Sequence, residues 1–124
     1  MRYLLNLVLI ILLFSNFGYA QDETAVKNVL LESPLMGQTL TLDTYFQWIV
    51  VNGVSHYQLE IYEEENSESP VLNITSQSNE IYLPVLSREK LTAGQKYHWR
   101  VIGVDADGKV IAESEFRVFT VEQP

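Results

Sequence analysis

The chain has 124 residues, is 47% hydrophobic, and sets 8 Lys and Arg against 16 Asp and Glu for a formal charge of −8. That length suits one globular domain and leaves no room for two. A chain this acidic lacks the clustered basic charge that phosphate binding needs, which excludes nucleic acid as a partner. With no cysteine it can form no disulfide and carries no N-terminal Cys for a lipid anchor, so its stability rests on its core alone.

Arg2 precedes an apolar stretch from Leu4 to Phe17 that is interrupted only by Asn6, Ser15 and Asn16. Small residues Gly18 and Ala20 follow at the −3 and −1 positions of a cleavage site, so residues 1–20 are expected to be a signal peptide. Cleavage after Ala20 gives an exported protein, periplasmic or extracellular, that starts Gln21-Asp22-Glu23. No later apolar run approaches the roughly 18 residues that a bilayer span requires, so no membrane span is expected after cleavage. Exported animal domains of this size are often stapled by disulfides, and the absence of cysteine points to a bacterial protein. Asn73-Ile74-Thr75 matches a glycosylation sequon, which matters only in a eukaryotic host.

Residues 21–30 are mixed and polar and are expected to form a flexible N-terminal extension, with the domain proper over 31–122. Thr39 to Leu42 is a brief strand candidate after Pro34 and Gly37. Tyr45 to Val51 is a stronger one, ending at Asn52-Gly53, a hairpin signal. From Tyr57 to Tyr62 the chain alternates, which turns Tyr57, Leu59 and Ile61 inward and Gln58, Glu60 and Tyr62 outward. Val71 to Thr75 and Glu80 to Leu83 are shorter strands, with Pro70 and Pro84 suited to strand ends.

In the run from Tyr97 to Asp105, Tyr97, Trp99, Val101 and Gly103 fall on the inward face. Asp107-Gly108 is a second hairpin signal, and Ile111 to Val121 is the returning strand, whose face shifts between Phe116 and Phe119 as at a bulge. Ser87 to Lys90 offers a single helical turn at most. The expected fold is all-β: a two-sheet antiparallel immunoglobulin-like sandwich of about seven strands.

Several of these segments resemble a fibronectin type III domain in the form found in exported bacterial proteins. Ser33-Pro34-Leu35-Met36-Gly37 resembles the start of the first strand, Phe46-Gln47-Trp48 the second with its core Trp, and Tyr57-Gln58-Leu59-Glu60-Ile61 the third. Leu91-Thr92-Ala93-Gly94-Gln95-Lys96-Tyr97 resembles the family's tyrosine corner, and Trp99 to Asp105 the sixth strand. The resemblance implies a structural core containing Trp48, Tyr57, Leu91, Gly94, Tyr97, Trp99 and Val101. It also implies a Tyr97 hydroxyl that reaches back to upstream backbone. The loop Asp105-Ala106-Asp107-Gly108-Lys109 lacks the Arg-Gly-Asp of the family's cell-adhesion members, so integrin-type adhesion is not implied.

No residues stand in a pattern that calls for catalysis, and no enzyme activity, cofactor or metal is expected. Ser55 and His56 are adjacent in a turn, which does not make a triad. Asp105 and Asp107 could offer carboxylates to a hard cation, but Asp107-Gly108 is accounted for by turn geometry. Glu63, Glu64, Glu65 and Glu68 read as a solvated loop. Two binding routes remain. Tyr45, Tyr62 and Tyr82 form a candidate surface if they share a face, and uncharged Val71 to Thr75 is a candidate sheet edge for a partner strand.

The expected function is that of a non-catalytic binding or scaffolding module for another envelope or extracellular protein. A module standing by itself on its chain implies a dedicated partner. The alternative is a carbohydrate-binding domain acting on cell-wall or extracellular glycan, for which clustered exposed aromatics would be the mark. The sequence leaves the oligomeric state open.

Overall fold

The computed structural model describes residues 25–41 and 44–122. The expected signal peptide over 1–20 lies outside them, as do residues 21–24 of the expected extension. Among the described residues ten strands run in the order β1 (Lys27–Asn28), β2 (Leu31–Ser33), β3 (Thr39–Leu40), β4 (Phe46–Trp48), β5 (His56–Tyr62), β6 (Leu72–Ser76), β7 (Glu80–Ile81), β8 (Lys96–Val104), β9 (Val110–Glu113) and β10 (Arg117–Val121), with a helical turn, α1 (Val85–Arg88), between β7 and β8. They make a seven-stranded and a three-stranded sheet, an all-β sandwich. No helix of the described residues is long and apolar enough to cross a membrane.

The excess over about seven strands comes from two breaks. The first strand is divided among β1, β2 and β3: β1 runs parallel to β9, β2 joins the small sheet beside β4, and β3 returns to run parallel to β10. The flexible extension expected over 21–30 therefore needs correction, because Lys27 and Asn28 pair with Ala112 and Glu113 and Val29 is buried in the core. A short polar strand that pairs along one edge carries no apolar alternation for a sequence reading to detect.

The last strand breaks between β9 and β10. Ser114 fills the gap: its N–H donates to the Val101 carbonyl (2.9 Å) and its hydroxyl accepts the Val101 N–H (2.8 Å). Within the break Phe116 packs on Tyr62 at the outer side of the large sheet, while Phe119 in β10 is fully buried, which is the face shift visible in the sequence.

The Tyr45 to Val51 strand is shorter than expected, and Asn52-Gly53 does not close a hairpin. β4 pairs with β2 and β7, and β5 with β6 and β8, so the turn carries the chain from one sheet to the other. Gly53 does take the left-handed conformation, at φ 90°. Asp107-Gly108 closes a true hairpin between β8 and β9.

Aromatic rings from both sheets interlock in the core. From the small sheet, Phe46 meets Trp99 (4.9 Å between centroids) and Phe119 (5.5 Å) edge-on, and Trp48 meets Tyr57 (5.3 Å). Such pairs contribute about 0.5–1.5 kcal/mol each beyond area burial. Leu91 and Val101 are buried with them. Gly103 is inward as expected, and a Cβ there would come within 2.8 Å of Val54, so the strand can pack this closely only without a side chain.

Two tyrosines tie loops to this core. The Thr92 N–H donates to the Tyr97 hydroxyl (2.7 Å), the geometry of a tyrosine corner, while Gly94 turns at φ 81°. In the same manner the Val51 N–H donates to the Tyr57 hydroxyl (3.0 Å), a bond the sequence did not suggest.

Candidate functional site

Tyr45, Tyr62 and Tyr82 do not form one surface. Tyr62 ends β5 on the outer side of the large sheet, whereas Tyr45 and Tyr82 flank β4 and β7 of the small sheet. Alternation gives the side of a strand a residue points to, but not which sheet the strand joins.

Nor is Tyr62 exposed: it is buried at 6% relative accessibility. Its ring meets Phe116 edge-on at 5.5 Å, and the Arg100 guanidinium lies over both rings, 5.7 Å from Tyr62 and 5.0 Å from Phe116. Arg100 Nε donates to Glu60 and Nη1 to Glu113, each at 2.8 Å, and the Tyr62 hydroxyl donates to Glu60 at 3.2 Å. Burial works against the Arg100 charge, but hydrogen bonds to Glu60 and Tyr62 outweigh it and hold the guanidinium above its ordinary range. Burial also holds the Tyr62 phenol above its ordinary value, reinforced by the Glu60 charge and opposed by the Arg100 hydrogen bond. The cluster satisfies itself, clamping the β9–β10 break onto the sheet.

The small sheet is different on its outer side. Register places Tyr45 beside Tyr82, with ring centroids 5.1 Å apart at a 51° tilt. Gln47 stands opposite Glu80 in the middle of the face. At the far end the Ile49 N–H donates to the Leu30 carbonyl (2.9 Å), and both side chains are exposed, Ile49 at 46% and Leu30 at 59%. Tyr82 is 58% exposed. Sequence reasoning did not single out Leu30 or Ile49; the sign was the unbroken apolar run Ile49-Val50-Val51, which continues past the alternation of Phe46 and Trp48.

The other candidates are occupied in turns or strands. Asp105 Oδ1 accepts the N–H groups of Asp107 and Lys109, both at 2.9 Å, and so shapes the β8–β9 hairpin. Among the described residues no group of three or more His, Asp or Glu is arranged to hold a metal ion. Ser55 donates its N–H to the Val104 carbonyl and His56 pairs with Val104 at the start of β5. His98 Nδ1 lies 3.5 Å from a Glu65 oxygen, too long for a firm hydrogen bond. β6 pairs with β5 alone among the described strands, so Leu72 to Ser76 is a sheet edge.

Residues 26–120 match the family model described as GH85 endohexosaminidases, C-terminal domain. No curated protein matches the chain. Among solved structures it is similar to a Fn3-like protein from Clostridium thermocellum, at 15% identity and a TM-score of 0.52, over 72% of this chain and 90% of that one. It is also similar to the fibronectin(III)-like modules of Clostridium thermocellum CbhA, at 20% identity and a TM-score of 0.49, over 76% of this chain and 94% of that one. A third is the Streptomyces avermitilis alpha-L-rhamnosidase complexed with L-rhamnose, at 17% identity and a TM-score of 0.52, where 76% of this chain aligns with 10% of that one. The fold is thus that of a fibronectin type III-like sandwich.

Proposed function

The chain belongs to the family of C-terminal domains of GH85 endohexosaminidases, and from that premise we propose that it is an exported, non-catalytic accessory module that works by binding another protein of the bacterial envelope or its surroundings. The family membership carries this reading, since the matched region of those enzymes is their C-terminal domain. Two features of the chain support it. On the large sheet's outer side Arg100, Glu60 and Glu113 are paired with one another, and the acid pair Asp105 and Asp107 belongs to a turn. The leader-like residues 1–20 support export.

A second reading, glycan binding, is favoured by one observation, the exposed Tyr82 ring packed against Tyr45. A single pair offers less stacking area than the three-residue platform that the sequence allowed. Affinity capture with residues 21–124 as bait, from native envelope and culture fractions, separates the two when run beside a glycan array. A reproducible protein partner is expected. Glycan binding without a protein partner would overturn the first reading in favour of the second.

A further inference from the structure

We propose that the outer face of the three-stranded sheet is the docking surface, and that its partner is a protein patch bearing Lys or Arg across its middle, between two apolar ends. This rests on the accessory-module reading above. The two outer faces of the sandwich contrast. The large sheet carries its aromatic residues Tyr62 and Phe116 under a guanidinium that two carboxylates hold in place. The small sheet carries Tyr82 exposed at one end, with Tyr45 beside it, and Leu30 and Ile49 exposed at the other. Apolar residues gathered on one face of a small exported domain mark an interaction surface, and Tyr is among the residues that anchor such surfaces.

Charge selects the occupant. Glu32 and Glu80 stand exposed on this face, and β2, β4 and β7 contain no Lys or Arg. A second copy docked face to face would bring these carboxylates together with no cation between them. An anionic lipid surface would meet the same repulsion. A protein patch with cations across its middle is the occupant that both pairs the carboxylates and covers the apolar ends.

The test uses the protein captured in the experiment above, purified and titrated into the domain and its variants, with each variant's melting temperature measured to confirm folding. Ile49→Lys and Tyr82→Ala should each weaken binding at least tenfold. The double variant Glu32→Lys, Glu80→Lys should weaken it and flatten its salt dependence. Gln58→Lys, on the large sheet, should bind as wild type. A captured protein held equally by all the small-sheet variants would overturn this surface while leaving the accessory-module reading intact. Capture of no protein at all would overturn both. Two further results would reassign the face: dimerisation of the free domain abolished by Ile49→Lys would give it to a second copy, and glycan binding abolished by Tyr82→Ala would give it to a sugar.

Discussion

Trp48 and Trp99 approach the core from opposite sheets and are both fully buried. Neither neighbourhood can collapse without moving a sheet, so Trp48→Ala or Trp99→Ala is expected to cost about 3–5 kcal/mol in denaturant unfolding. A near-wild-type midpoint for both would invert the strand faces. Tyr97→Phe removes the acceptor of the Thr92 N–H and should cost about 0.5–1.5 kcal/mol. Tyr62 gives a pH signature. Its folded-state pKa is raised above 10.0, so its contribution is present below pH 10 and fades as the pH climbs toward the folded value. Between pH 9 and 11 the wild type should lose stability more steeply than Tyr62→Phe, and parallel losses would refute the burial of that phenol. The core aromatics were legible in the sequence because alternation is a local property of one strand. The fate of Tyr62 was not, because what covers it is Phe116 and Arg100, brought from distant parts of the chain.

At the scale of elements, β5 and β8 were legible nearly to the residue, and the broken strands were not. β5 and β8 are central and pair on both sides, so their inward faces must be apolar throughout. The first strand touches each partner for two or three residues before moving to the next, too briefly to write a pattern. Ser114 shows how such a break is tolerated, since its hydroxyl replaces the backbone partner that the missing ladder would supply. Ser114→Ala strands the buried Val101 N–H and is expected to cost about 1–3 kcal/mol by thermal or chemical unfolding. An unchanged stability would mean that the β9–β10 break is held by the Arg100 cluster instead.

For the whole molecule, the fold could be read from the order of the Trp strand, the Tyr strand and the tyrosine corner, and the family match and the similar structures agree with it. The surface could be read only in part. Tyr45 and Tyr82 were named among the candidates, but Leu30 joins them through β2, whose place in the small sheet no local pattern announced. The sandwich thus has one outer face where an ion-paired guanidinium covers the aromatic rings and one with apolar side chains exposed at both ends, an asymmetry suited to a module that docks by a single side.

Calorimetric titration most directly tests the claim that this module binds protein through an apolar face. The captured partner and a soluble cell-wall glycan would be titrated in parallel into residues 21–124 at several temperatures. The account predicts saturable heat from the protein, with the negative heat-capacity change that marks apolar burial, and none from the glycan. Heat from the glycan alone, or protein binding without that heat-capacity change, would contradict it.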